Sequence, residues 1–305
     1  MFREKLVLVT GARGFLGRHI CQILDKKQAR VFKVNRSVVD LRKPKETQVL
    51  FDDVRPQIVV HCAVQGGGIG WMKENPVASG KDNLRMNINV LEASHSVGVE
   101  KFIGVSSACI YPKSGVQPYL EETIWDGYPE PLNGPYALSK RMMMDLGRAY
   151  HRQYDFPCVF PILANLYGPH DHLNPSRAHV ITDLMLRCLH NPTELLVWGT
   201  GEAEREFLYI EDAAEGVLSC INAPSGNFIN IGSGQSTSIL NVAKMIVKAL
   251  GMDIPICLDP EKPNGQLRKV LCVEKAKKVL QWEAKTSLPI GLQKTAKWYR
   301  QQIHC

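Results

Sequence analysis

The 305-residue chain is 45% hydrophobic and carries a net charge of +7, the profile of a globular protein with enough apolar material for one large core or two smaller ones. No apolar run approaches the ~20 residues of a membrane helix, and the scattered basic residues form no nucleic-acid-binding tail. Nine cysteines without a CxxC pair leave no structural zinc pattern and predict reduced thiols in a cytoplasmic protein.

The charged start "MFREKLVLVTGARG" runs straight into a strand rather than a signal peptide. Short β-branched runs, "KLVLVTG", "RVFKVN", "QIVVHCA", "KFIGVSSA" and "CVFPILANLYG", read as buried parallel strands. Between them, "FLGRHICQILDKK", "ETQVLFDDV", "LRMNINVLEASHSVG" and "YALSKRMMMDLGRAYHRQY" carry apolar residues at helical spacing, with Met142, Met143 and Met144 read as packing. The alternation predicts an α/β fold, a doubly wound parallel Rossmann sheet over residues 1–165. From residue 166 the rhythm breaks: a polar loop, "YGPHDHLNPSRAH", precedes a helix at "VITDLMLRCLH" and shorter elements beyond. Residues 166–305 are therefore expected to form a smaller α/β domain over a ligand crevice, with a segment near 206–232 returning to the main sheet.

The loop "GARGFLG" joins the first strand to the first helix and sets Gly11, Gly14 and Gly17 at GxxGxxG spacing. Glycines there let backbone approach a pyrophosphate, whose charge a helix N-terminus stabilises. Phe15 and Leu16 open that helix. Where the second strand ends, an NAD-binding chain usually places an acid for the ribose hydroxyls, but "VNRS" offers Arg36, and Arg13 lies inside the loop. Two guanidiniums suit a 2′-phosphate, so NADP(H) is the expected cofactor. Asp40, followed by Leu41, leaves room for NAD.

In "YALSK", Tyr136 and Lys140 share a helical face. A phenol is a poor acid–base group near neutral pH unless a cation favours its anion, and Lys140 is expected to supply that charge and to reach the nicotinamide ribose. Ser107, at the end of the fourth strand, can bond the same substrate oxygen. This trio serves hydride transfer at a carbonyl and leaves Cys109, in "SSACIYP", without work. A keto-sugar has acidic protons beside its ketone, and inverting such a centre needs a base on one face and an acid on the other. A thiol suits the first task, and His179 in "NPSRAHVI" is a candidate for the second. Cys109 also fits a small buried thiol, His179 a helix-start residue, and the "QGGGIGW" loop a mere wall of the crevice.

"SSACIYP", "GPYALSK", "NLYGPHDHLNPSRAHVI", "REFLYIED" and "KPNGQLRKVL" together resemble the GDP-L-fucose synthase branch of the extended short-chain dehydrogenase/reductase family, over essentially the whole chain. The resemblance implies an NADPH-dependent epimerase-reductase acting on GDP-4-keto-6-deoxymannose, inverting carbons 3 and 5 and reducing carbon 4. It implies Cys109 as base, His179 as acid and cofactor contact, and Tyr136 as proton donor to the ketone oxygen. Asn165 and Leu166 would line the sugar and cofactor site. Arg187 and Arg205 would hold the phosphates, Trp198 would lie against the nucleoside, and Arg268 with Lys269 would add a sugar-nucleotide contact. Trp198 and Arg187 equally fit a core residue and a solvated one. A homodimer pairing helices of the first domain is also implied, with no metal. A GDP-deoxyheptose reductase or epimerase and a non-catalytic NADP sensor are the competing readings.

Overall fold

The computed structural model describes residues 2–174, 177–190, 193–262 and 265–303. Pro175 and Ser176 of the polar loop, and Pro263 and Asn264 of the "KPNGQ" stretch, lie outside them.

The first half alternates as its hydrophobic runs require. In chain order come β1 (Leu6–Thr10), α1 (Phe15–Lys26), β2 (Arg30–Val34), α2 (Pro44–Val54), β3 (Ile58–His61), α3 (Ile69–Glu74), α4 (Asn83–Ser96), β4 (Lys101–Gly104), β5 (Ser106–Ser107), α5 (Gly134–Tyr154) and β6 (Cys158–Leu163). β3, β4 and β6 are buried along their whole length, as strands covered by helices on both faces must be.

The second half contributes β7 (Asn165–Tyr167), α6 (Val180–His190), β8 (Leu195–Trp198), β9 (Glu204–Tyr209), α7 (Ile210–Ser219), β10 (Asn227–Ile231), β11 (Ser236–Ser238), α8 (Ile239–Ala249), β12 (Ile256–Asp259), β13 (Arg268–Lys269) and α9 (Leu288–Ile303). The main sheet runs β10-β6-β4-β3-β1-β2, with β5 on β6 and every pairing parallel. Its order reverses between β1 and β3. In open α/β sheets a ligand crevice forms at the strand ends of such a switch point. One face of the sheet carries α1 against α7, and the other carries α2, α4 and α5.

The run "CVFPILANLYG" does not remain one strand. Its last part, β7, leaves the main sheet and pairs with β9, which β11 and β13 flank in a second sheet; β8 and β12 form a separate pair. This divides the apolar interior into two cores. The larger sits on the main sheet and also takes Leu271, Ala276, Leu280 and Trp282 from late in the chain. The smaller is built from β7, α6, β8, β9, α8 and α9. Fully burying one such Leu or Ile contributes roughly 1.5–3 kcal/mol, so neither core depends on a single side chain. Leu16 and Leu166 pack against both cores, and the crevice lies where they meet. Met143 and Met144 are buried as expected, whereas Met142 is 51% exposed: it lies on the outer face of α5 with Leu138.

Candidate active site

Close approach explains the glycines at the end of β1. Gly11 has φ +66°, and a Cβ there would stand 2.9 Å from the Ala63 backbone. A Cβ on Gly17 would stand 2.2 Å from the Gly11 carbonyl oxygen. Gly14 begins α1 with no side-chain cap, and the first turn holds no acid. The helix thus offers unshielded N–H groups and a positive dipole end, which fits a dinucleotide pyrophosphate. Phe15 and Leu16 are half-buried beside it, and Leu41 is buried. Arg13 and Arg36 are exposed, and among the described residues neither is held in an ion pair. Asp40 is engaged instead: Arg42 binds its Oδ2 through Nη2 at 2.6 Å and its Oδ1 through Nε at 2.8 Å. That bond holds the Asp40 carboxyl down at about 2. The sequence reading overlooked Arg42.

Ser107, Cys109 and Tyr136 converge at the ends of β5 and α5. The Ser107 hydroxyl accepts from the backbone N–H of Cys109 at 3.3 Å, fixing the short 3₁₀ turn that carries the thiol. The same hydroxyl lies near enough to the Tyr136 phenol to favour its anion. Burial pushes that phenol well above its ordinary range, the charge of Cys109 raises it further, and the nearby Ser107 partly offsets both. Tyr136 is therefore protonated at neutral pH and able to donate. Lys140 is 3% exposed, and its Nζ donates to the Val105 carbonyl at 2.8 Å. Burial brings its ammonium down to about 8. One donor of the Lys140 ammonium thus anchors it to the β4–β5 junction, one helical turn from Tyr136. Asn133, which precedes α5, makes no cap bond; its Nδ2 points at the Cys109 sulfur, 3.9 Å away.

His179 is exposed just before α6, and its segment is seated on the loop after β3. Gly68 N–H donates to the Arg177 carbonyl at 3.0 Å, and the Arg177 guanidinium lies over Trp71, 5.6 Å from the ring centroid. The "QGGGIGW" loop thus has a task that its composition did not disclose: it carries the chain leading to His179 at the β3 end of the crevice.

The remaining candidates lie on β7, β8, β9, β13 and α6. Arg205 is half-buried, donates to the Gln266 and Glu204 carbonyls at 2.5 and 2.8 Å, and acts electrostatically on Cys109. Lys269 pairs directly across from it, and Arg268 is exposed in an ion pair with Glu204 at 3.2 Å. Asn165 spends its amide on the Glu206 carbonyl at 2.8 Å. Arg187 is held by Asp183 at 2.6 Å and lies over the Trp198 ring, 5.1 Å from its centroid. Trp198 is 48% exposed and is not a core residue. Glu206, also overlooked in the sequence, is 1% exposed and accepts from the Gly234 and Leu271 N–H groups at 2.7 Å each. Burial raises its carboxyl to about 7. It ties β9 to the segment leaving β13. Among the described residues no His, Cys, Asp and Glu cluster could hold a metal, and no helix is long and apolar enough to cross a membrane.

With this geometry in place, residues 7–232 match the NAD dependent epimerase/dehydratase family. The chain belongs to that family. Within the NAD dependent epimerase/dehydratase family it is 33% identical over 296 residues to the GDP-L-fucose synthase of Sinorhizobium fredii (strain NBRC 101917 / NGR234), covering 95% of this chain and 94% of the relative. A GDP-L-fucose synthetase from Naegleria fowleri, crystallised bound to NADP, superposes with a TM-score of 0.91 at 29% identity, covering 100% of this chain and 96% of that one. A GDP-6-OMe-4-keto-L-xylo-heptose reductase from C. jejuni superposes with a TM-score of 0.93 over 99% of both chains; at 22% identity that likeness is one of fold alone.

Proposed function

We propose that this chain is an NADPH-dependent epimerase-reductase converting GDP-4-keto-6-deoxy-D-mannose to GDP-L-fucose. One observation carries the reading: Cys109, which carbonyl reduction does not need, shares a crevice with Ser107 and Tyr136 and lies within electrostatic reach of Arg205. The similarity to a GDP-L-fucose synthase over 95% of the chain supports it.

In this reading the Cys109 thiolate takes the proton from the carbon beside the ketone, and the electron pair passes onto the ketone oxygen. His179 returns a proton on the opposite face, at carbons 3 and 5 in turn. Tyr136 hydrogen-bonds the carbon 4 oxygen with Ser107 and gives it a proton during reduction. Arg13 and Arg36 hold the 2′-phosphate, while Gly11, Gly14 and Gly17 admit the pyrophosphate. A reduced nicotinamide, when bound, supplies hydride. Arg187, Arg205, Arg268 and Lys269 meet the diphosphate and sugar, and Trp198 meets the nucleoside. Residues 1–165, with the return near 206–232, hold the cofactor, and 166–305 mainly hold the GDP-sugar. A cytoplasmic homodimer completes the reading. Leu138 and Met142 of α5 line one surface hollow with Trp125, and the three are 41%, 51% and 46% exposed, which supports pairing through that helix.

The deciding experiment is turnover of GDP-4-keto-6-deoxymannose with NADPH in heavy water, the product being identified by NMR. GDP-L-fucose deuterated at carbons 3 and 5 is expected, and Cys109→Ser is expected to abolish deuterium entry while retaining some direct ketone reduction. Normal deuteration in Cys109→Ser removes the thiol from the mechanism. Turnover confined to a GDP-keto-deoxyheptose moves the enzyme to that substrate.

A further inference from the structure

Asp40, the acid that leaves room for an NAD ribose, lies six residues past the end of β2, and both of its carboxylate oxygens accept from Arg42. Oδ1 accepts from the Arg42 backbone N–H at 3.1 Å and from Arg42 Nε at 2.8 Å, and Oδ2 accepts from Nη2 at 2.6 Å. The third nitrogen of the same guanidinium, Nη1, bonds Asp82 just before α4 at 3.1 Å. Arg42 is thus fixed on both sides, with its rigid fork matched to a carboxylate. Side-chain exposures of 29%, 22% and 14% for Arg42, Asp40 and Asp82 leave the trio partly buried and not in free solvent. Arg36 is near enough for its charge to act on Asp40.

We propose that Arg42 sets the cofactor preference of this chain: it withdraws Asp40 from the ribose 2′-hydroxyl and cancels a negative charge that would repel a 2′-phosphate. The inference rests on the dinucleotide reading above and deepens it. Arg36 and Arg13 attract the phosphate directly, while Arg42 acts through Asp40 as a positioning residue. Discrimination between the two cofactors then has an attractive and a repulsive side, and the repulsive element is held silent. Freed from Arg42, Asp40 would accept from the 2′-hydroxyl of NADH and oppose NADPH.

The test is equilibrium binding to the full-length chain without any sugar substrate. Dissociation constants for NADPH and NADH are read from tryptophan fluorescence, and those for 2′,5′-ADP and 5′-AMP from calorimetry. The wild type is expected to prefer NADPH and 2′,5′-ADP. Arg42→Leu should lower the NADPH/NADH preference by roughly tenfold, the size expected when a partly buried hydrogen bond to a charged group is lost. Arg42→Lys, which keeps the charge and loses the fork, should fall between. Arg42→Leu combined with Asp40→Asn should regain a preference within about threefold of wild type, because the repelling charge is gone. A wild-type preference in Arg42→Leu overturns the proposal, and so does a double variant that keeps the single variant's loss, which would mark Arg42 as packing only. A wild type that prefers NADH overturns the NADPH reading along with it. NADPH preference unmoved by Arg42→Leu defeats the role of Arg42 alone.

Discussion

Gly68 and Ala178 are packed backbone to backbone: a Cβ built on Gly68 would stand 2.3 Å from the Ala178 carbonyl oxygen. Gly68 precedes α3 with φ −61°, ordinary for any residue, so it is close approach that requires glycine here. Ala178 is the neighbour of His179, and the loop after β3 therefore sets where the imidazole stands. Gly68→Ala should push that segment outward. With reacting groups displaced by about 1 Å, proton return should slow by roughly 10²-fold. Single-turnover deuterium exchange, with cofactor affinity measured alongside, checks this; exchange at the wild-type rate would detach His179 from the loop.

Tyr136 depends on its proton. Burial and the neighbouring thiol hold the phenol protonated at neutral pH, so Tyr136→Phe removes a donor and little volume. Proton exchange at carbons 3 and 5 should persist, while NADPH oxidation should fall by about 10²-fold or more. Stopped-flow absorbance at the nicotinamide band measures the second quantity, and oxidation at the normal rate would make Ser107 the donor.

The Arg187–Trp198 pair is half exposed and rigidly held. A nucleobase lying on the indole gains about 1–3 kcal/mol. Trp198→Ala should therefore raise KM for the nucleotide sugar about tenfold or more and leave kcat near its wild-type value. A fall in kcat with KM unchanged would place the indole elsewhere in the reaction.

His61 predicts an acid-sensitive fold. Asn87 gives its amide N–H to the Ser139 carbonyl at 3.1 Å, so its oxygen accepts from His61 Nε2 at 3.0 Å. The Thr10 hydroxyl, which accepts from Ala63 N–H at 3.0 Å, then donates to His61 Nδ1 at 2.8 Å. Burial, aided by the charge of Lys140, brings the imidazole down to about 3. The unfolded chain takes this proton near pH ~6.5, and the native state takes it only near 3. Between those values the unfolded state binds more protons, so stability falls as pH falls, by up to about 1.4 kcal/mol per pH unit. Urea midpoints from pH 7 to pH 4 should drop less steeply in His61→Gln than in wild type. Equal slopes would assign the acid loss to other groups.

Much of this protein was settled locally and could be read in the chain. The strands β1, β3, β4 and β6 declared themselves as continuous apolar runs because both faces of the sheet are covered. The phosphate loop was legible because its glycine spacing lies within seven residues and Gly17 answers to Gly11, although Gly11 itself answers to Ala63 across the sheet; Tyr136 with Lys140 was legible because one helical turn joins them. Contacts between distant segments decided the rest. The departure of β7 toward β9, Arg42 on Asp40 and Asp82, Asn133 on Cys109, and Glu206 beneath Leu271 and Gly234 each depend on which surfaces meet after the sheet closes. Local periodicity carries the free energy of a helix or strand, whereas a buried carboxylate or a shared loop is fixed only by the partner that desolvates it. That partner is named by tertiary packing alone.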